Sequence, residues 1–434
     1  MTQRRRFHFF STPFLTALGR SGGLIIPFLV AFKYGAGPTT DAFFLAYGLN
    51  ISIGSVFTPV FESFLLPYLT EQKKVQENIN QLSSGVLVFC LPAVVILSFL
   101  VWVLLPWFLT QWSGLGPEIS HLAARLFLEM IPVLILGVWT SAFNGIFHTH
   151  KIFWFPALSP LLRSLWVVAF LWLGHHTLGI HAVTLGYVIG DIFRWAAGRV
   201  LLGFLGRWKF QSQWKKMQFQ VKDFLRQTVW QILGLLGINL IPLTDQWFAS
   251  WLGAGKLSLA SYSDRLFQVP YQLFLTGLLQ VFLSYWSETY HEEAPESVWN
   301  KGQKDIRRAF QISFVLSILL ALLQGPIVKL TFGFGHFSKE ELKLIASFFG
   351  WLMLGFSPTV LNLLYARVLF VMRKSNVFFL QSWLRFFLNI FFDYLFMKWW
   401  GFQGIAISTT LVYVVTTVWL YGYLQSCQKA RVKK

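Results

Sequence analysis

The stretch FKYGAGPTTDAFFLAYGLN, Phe32 to Asn50, recurs in outline as WLGAGKLSLASYSDRLFQVP, Trp251 to Pro270. In each copy a long apolar segment ends in Gly-Ala-Gly, at Gly35 to Gly37 and Gly253 to Gly255, and a short polar turn follows. A second apolar segment then carries acid near its start: Asp41 in one copy, Asp264 beside Arg265 in the other. The copies stand 218 positions apart, about half the chain. An internal repeat of this kind predicts two similar halves around a central site.

Outward from the repeat, the 434 residues are 55% hydrophobic and 12% charged. That is more apolar surface than a water-soluble fold can bury. Apolar runs of roughly 20 residues recur from end to end, each long enough to cross a bilayer as a helix. The 46 Phe and 20 Trp suit lipid-facing surfaces and interfacial belts. About twelve spans follow, near residues 9–34, 41–69, 83–110, 119–147, 153–174, 178–206, 226–252, 259–288, 307–333, 340–370, 376–399 and 403–425. The expected fold class is an all-α integral membrane protein, about twelve transmembrane helices in two six-helix pseudo-symmetric halves around a central cavity. The halves are expected at 1–206 and 226–425, with a basic amphipathic linker at 207–225 and a basic tail at 426–434. The N-terminal MTQRRRFHFF has the look of a signal peptide. Arg20 interrupts the run that follows and no small-residue cleavage site appears, so it reads as the first span.

A net charge of +18 raises the question of nucleic acid, and the placement of the charge answers it. Turns after odd-numbered spans carry few bases, such as Lys256. Loops after even-numbered spans carry many: Lys73 and Lys74, Lys151, the run Arg207 to Lys222, Lys301 to Arg308, and Arg373 with Lys374. Both termini join them, through Arg4 to Arg6 and Lys429 to Lys434. This pattern predicts both ends in the cytoplasm. The linker sequence RWKFQSQWKKMQFQVKDFLRQ mixes bases with aromatics and predicts a helix lying on the bilayer surface. No nucleic-acid motif accompanies it.

Polar residues recur at helical spacing within the spans. Thr16, Arg20, Gly23 and Pro27 share one face; so do Asp41, Gly48, Ser52, Ser55, Pro59 and Glu62; so do Ser261, Arg265, Gln268, Gln272 and Thr276. Such stripes face a partner helix or a wet cavity rather than lipid. Arg125 with Glu129 and Asp191 with Arg194 are spaced to neutralise each other. Arg163 follows two prolines and falls near mid-membrane, so it either lines a cavity or pairs with a carboxylate on another segment.

A second constellation lies in the later half. Asp245 sits in LIPLTDQWFAS, Asn389 and Asp393 lie one turn apart in FFLNIFFDY, and Thr409 follows Ile405 by one turn. At 1.5 Å per residue, Asp245, Asp393 and Thr409 all fall roughly 10 Å below the outer surface. Two carboxylates, an amide oxygen and a hydroxyl, with the Ile405 carbonyl as a further backbone donor, suit a small cation. The alternative is that Asp393 pairs with Arg385, two turns away, and that Asp245 is held by hydrogen bonds or protonated.

Phosphate loops, nucleophile elbows, HExxH helices and CxxC pairs are absent from the sequence. Cys90 and Cys427 lack ligand spacing. An integral-membrane glycolipid transferase would have to use His148, His150 and Lys151. The reading is therefore not an enzyme and without a resident cofactor.

TDAFFLAY, Thr40 to Tyr47, resembles the start of the second helix of MurJ/MviN-type lipid II flippases, within the multidrug/oligosaccharidyl-lipid/polysaccharide exporter superfamily. TDQWFASWLGAGKLSLASYSDRLFQVP, Thr244 to Pro270, resembles that family's seventh and eighth helices, and FPALSPLL, Phe155 to Leu162, its fifth-helix entry. The resemblance implies alternating-access movement of a polyprenyl-linked glycolipid across the bacterial cytoplasmic membrane, by a chain expected to act as a monomer. On matching positions it implies Arg20, Asp41, Ser258 and Arg265 as central residues, with Asp264 beside them. Arginine forks suit pyrophosphate oxygens. The Asp245, Asn389, Asp393, Ile405 and Thr409 set resembles a sodium site of some members. Leu24 to Pro27 and Asn50 to Ser55 carry no cation where the family commonly has arginine. The alternatives are another lipid-linked polysaccharide unit, a cation-coupled multidrug antiporter of the same superfamily, or a non-transporting envelope scaffold.

Overall fold

The computed structural model describes residues 3–65, 76–211, 214–274, 295–372 and 374–432. Lys73, Lys74, Thr276, Arg373, Lys433 and Lys434, named above, lie outside the described residues. The described chain forms fourteen α-helices. They are α1 (Gln3–Tyr34), α2 (Pro38–Pro59), α3 (Gln76–Trp112), α4 (Pro117–Thr149), α5 (Trp154–Leu178), α6 (His181–Phe204), α7 (Trp214–Ser250) and α8 (Lys256–Phe274). There follow α9 (Pro295–Leu322), α10 (Gln324–Phe332), α11 (Lys339–Leu354), α12 (Phe356–Val371), α13 (Ser375–Trp400) and α14 (Phe402–Val432).

Local chemistry sets the helix ends. Gly35, in the first repeated turn, has φ 62, and an added Cβ would stand 2.8 Å from the His336 carbonyl oxygen. Only glycine fits there without strain. Pro38 opens α2, where its missing N–H has no partner to lose. The Gly37 amide donates to the Thr40 hydroxyl at 2.9 Å, and Asp41 lies in the first turn, where an acid suits the helix dipole. Ser338 caps α11 reciprocally with Glu341.

Two expected spans are broken rods. α9 and α10 meet at 67°, and α11 and α12 at 44°. Each break has the same cause. Pro326 cannot donate to the carbonyl of Leu322, the last residue of α9; Pro358 cannot donate to that of Leu354, the last of α11. α2 ends differently, in a π-turn over Val60–Phe64 that contains Glu62. Among the described residues, seven helices are long and apolar enough alone to cross a membrane, and the two bent pairs raise this to nine. The remaining expected spans are α6, α8 and α13. These carry Asp191 with Arg194, Asp264 with Arg265, and Arg385 with Asp393. Their charges lower their hydropathy.

The chain forms two compact units. One holds residues 1–30 and 37–232, the other 31–36 and 233–434. The boundary falls inside α7, beyond the linker expected at 207–225. The helical part of that linker is continuous with the span that follows it. α7 runs unbroken from Trp214 to Ser250, since neither Gly nor Pro interrupts it before Gly234. The preceding residues strap onto the start of α3. Trp208 Nε1 donates to Ser83 at 2.8 Å, and the Lys209 and Gln211 amides donate to Asn80 and Ser84.

Candidate functional sites

In the first unit, α5 and α6 form a tight antiparallel pair that turns at Gly179. Gly186 and Gly190 of α6 lie so close to α5 that a Cβ on either would stand 2.7 Å from the Val167 or Arg163 backbone. One turn of small residues thus brings the α5 and α6 backbones together. This approach sets Arg163 against Asp191 at 3.8 Å, with Arg194 on the other oxygen of Asp191 at 3.9 Å. The unidentified partner of Arg163 is therefore Asp191, shared between two arginines. Arg163 also lies over the Tyr187 ring at 5.7 Å, and Arg194 donates to Ser159 at 3.0 Å. Glu62, in the π-turn, accepts from Asn144 at 2.7 Å and feels the charges of Arg194 and Arg20. Arg20 itself is exposed on α1, and Asp41 is wholly buried. Nearer one end of the unit, Arg125 meets Glu129 at 3.7 Å as expected. Glu129 is held more closely by His181 at 2.8 Å and Thr184 at 2.6 Å.

In the second unit, Ser258 is buried in the first turn of α8, while Asp264 and Arg265 are half-buried further along it. Gln268 donates to Asp264 at 3.5 Å, and Arg265 is the charge nearest to Asp264 in effect. Ser258, Asp264 and Arg265 thus belong to one unit, Arg20 and Asp41 to the other.

The second unit also assembles the oxygen cluster. Asn389 of α13 donates to Asp245 of α7 at 3.0 Å, and Thr409 of α14 donates to the other Asp245 oxygen at 3.2 Å. Asp393, one turn along α13, lies beside Asp245 and Ser408. Asn389 and Asp393 are wholly buried. Asn389 Oδ1, both Asp393 oxygens and Ser408 Oγ are buried without a hydrogen-bond partner. Buried acceptors of this kind are satisfied by a donor, a shared proton or a cation, and the Ser408 hydroxyl and Asp245 lie beside Asp393 to supply the first two. The Ile405 carbonyl and Asp245 share the single Thr409 hydroxyl proton, at 3.0 Å and 3.2 Å, which leaves the carbonyl a lone pair. The expected set changes in one respect: Ser408, adjacent to Thr409 and unmarked by any pattern, joins it. Among the described residues no three acidic, histidine or cysteine side chains gather. This cluster consists of two carboxylates and neutral oxygens, a hard-donor mixture.

Arg385 does not pair with Asp393. Its guanidinium stacks on the Tyr413 ring at 3.9 Å and reaches Asn362 Oδ1 at 3.5 Å. Asn362 in turn bonds Thr416 and Gln381.

Charged and amide side chains held inside apolar helices, in two units of like design, define a polytopic membrane-transporter fold. A family model described as "Lipid II flippase MurJ" matches residues 30–432, and the chain belongs to that family. A Thermotoga maritima protein called "Probable lipid II flippase MurJ" is 26% identical over 413 residues, covering 93% of this chain and 82% of its own. A Synechocystis protein of the same description is 25% identical, covering 91% and 76%. Among solved structures, "Lipid II flippase MurJ, inward closed conformation" superposes with a TM-score of 0.81 at 19% identity, covering 96% of this chain and 87% of that one. An inward-facing multidrug resistance MATE family transporter gives 0.78 at 14%, covering 95% and 96%. These likenesses establish the fold.

Proposed function

We propose that this protein moves a polyprenyl-pyrophosphate-linked saccharide, the peptidoglycan precursor lipid II, across the bacterial cytoplasmic membrane by alternating access. The observation that carries this reading is membership of the lipid II flippase family along residues 30–432. The protein is then a transporter rather than a catalyst, acting as a monomer with both termini and residues 207–226 in the cytoplasm. Arg20 and Arg265 contact the pyrophosphate, whose oxygens suit forked guanidinium donors. Asp41 and Ser258 sit in the first turns of α2 and α8 and fix those helix starts beside the head group, with Asp264 orienting Arg265.

Na+ is the coupling ion in this reading, held by Asp245, Asn389, Asp393, Ser408 and Thr409. A bound monovalent cation supplies the positive charge that lets two carboxylates stay ionised in a dry interior. The absence of cations over Leu24 to Pro27 and Asn50 to Ser55 favours one second reading, a lipid-linked saccharide other than lipid II.

Depletion in the native host tests the substrate. Lipid II should accumulate on the inner leaflet and become inaccessible from outside. Accumulation of a different lipid-linked saccharide selects the second reading, and accumulation of none rejects lipid-linked transport. Arg265→Ala should fail to restore export while still inserting. For topology, cysteine placed at 256 should label from outside intact cells and cysteine at 215 should not.

A further inference from the structure

The strap that leaves α6 is pinned in place and yet presents both charge and apolar surface outward. At Gly206, with φ 59, the chain reverses: the Gly206 amide donates to the Gly203 carbonyl and the Arg207 amide to that of Leu202, both at 3.1 Å. The returning residues lie on the starts and ends of their neighbours. Trp208 is 2% exposed, bonds Ser83, and packs on Phe143 and Trp139 with ring centroids at 5.6 and 6.2 Å. The Lys209 and Gln211 amides donate to Asn80 and Ser84, so the strap is tied to α3 at three consecutive turns of its path.

With Trp208 turned inward, Arg207 and Lys209 on either side of it are exposed, as alternation along an extended segment requires. Arg199 of α6 is exposed too and lies over the Trp208 ring at 5.9 Å. Gly203, one turn further along α6, carries no side chain to cover it. Among the described residues Arg199 and Lys209 make no ion pair. The sequence supplies little negative charge nearby: no acid stands between Asp191 and Asp223, none follows Glu129 in α4, and Glu77 is the one acid at the start of α3. Beside these cations Phe204 is 87% exposed, with Val200 one turn before it on the same face and Phe210 at the far end of the strap. A water-facing loop would not carry such a phenylalanine. A surface that alternates guanidinium, ammonium and aromatic groups suits the boundary where phosphate headgroups meet acyl chains.

We propose that the strap is a binding site for an anionic phospholipid of the phosphatidylglycerol class. Arg199, Arg207 and Lys209 face its phosphate, and Val200, Phe204 and Phe210 lie along its acyl chains. The charge complementarity singles out an anionic lipid over a zwitterionic one, and the apolar rim singles out a lipid over a free anion. The site does not depend on which lipid is transported. α7 leaves this strap and carries the chain from the first unit into the second at residue 233, so a headgroup seated here steadies that junction.

The test is a thermal melt of purified full-length protein in non-ionic detergent, titrated with phosphatidylglycerol, with phosphatidylcholine of the same chains, or with sodium phosphate. Wild type should be stabilised saturably by phosphatidylglycerol and by neither of the others. Each cation at an anionic lipid surface is worth roughly fivefold in affinity, so Arg199→Gln with Lys209→Gln should raise the phosphatidylglycerol midpoint about thirtyfold. Lys209→Gln alone, which leaves Arg199 on Trp208, should raise it about fivefold and serves should the double variant not fold. Arg307→Gln with Arg308→Gln removes the same charge from exposed positions of α9 and should leave the midpoint unchanged. An equal response to phosphatidylcholine, or a response to phosphate alone, overturns the proposal. So does an equal weakening in the α9 variant, which would mean diffuse surface charge, and so does a wild type that phosphatidylglycerol does not stabilise.

Discussion

The hairpin α5–α6 and the hairpin α13–α14 answer one problem in two ways. Both bury an arginine in the same register, before a glycine turn of nearly the same backbone shape. In the first, Asp191 from the facing helix neutralises it, and a second arginine and Ser159 complete the cluster. In the second, the arginine rests on a ring, and of two carboxylates further along Asp245 is held by Asn389 and Thr409 while the Asp393 oxygens are buried. A charge with a fixed partner makes a rigid joint. A pair of buried acids with no fixed cationic partner of their own makes a joint that responds to the solution around it.

The sharpest way to break this comparison is to remove one acid from each side. Asp191→Asn leaves Arg163 and Arg194 buried without their carboxylate, and should cost about 3–5 kcal/mol. Asp393→Asn relieves a like-charge contact with Asp245 and, in sodium-free buffer, should melt at or above the wild-type temperature. Equal losses in the two melts would mean that both clusters are merely structural. Next in size is sodium itself. At a hundredfold above its dissociation constant it should stabilise the wild type by about 2.7 kcal/mol. That gain should vanish in Asp245→Asn and Asp393→Asn. Gly190→Ala should separate α5 from α6, because its Cβ meets the Arg163 backbone at 2.7 Å. A cost of about 1–3 kcal/mol is expected, with the sodium response kept. The smallest effect belongs to Arg125→Ala. That side chain is 73% exposed, and Glu129 keeps His181 and Thr184, so the melting temperature should hardly move.

Span positions were legible because membrane helices must be long and apolar, and polar stripes mark their inner faces. Asp245, Asn389, Asp393 and Thr409 were legible as a set because depth along a helix follows from counting residues. The bends at Leu323 and Gly355 were not, although Pro326 and Pro358 sit where they cause them. A proline near a helix start and a proline inside a span look alike in sequence. Asp191 was read as the partner of Arg194 from its spacing, and its contact with Arg163 depends on how closely two helices approach. The signal for that approach was Gly186 and Gly190 at one-turn spacing. Ser408 carried no periodic signal at all, because a lone buried serine commonly bonds its own helix. Only its buried hydroxyl beside Asp393 marks it.

Hydrogen–deuterium exchange on the reconstituted protein, with sodium exchanged for an equal concentration of choline, tests the difference between the halves most directly. Added sodium should slow exchange around Asp245 in α7, Asn389 to Asp393 in α13 and Ile405 to Thr409 in α14, and leave α5 and α6 as they were. Protection that appears equally in α5 and α6, or in none of these helices, would contradict a closed charge cluster in one half and an exchangeable cation site in the other.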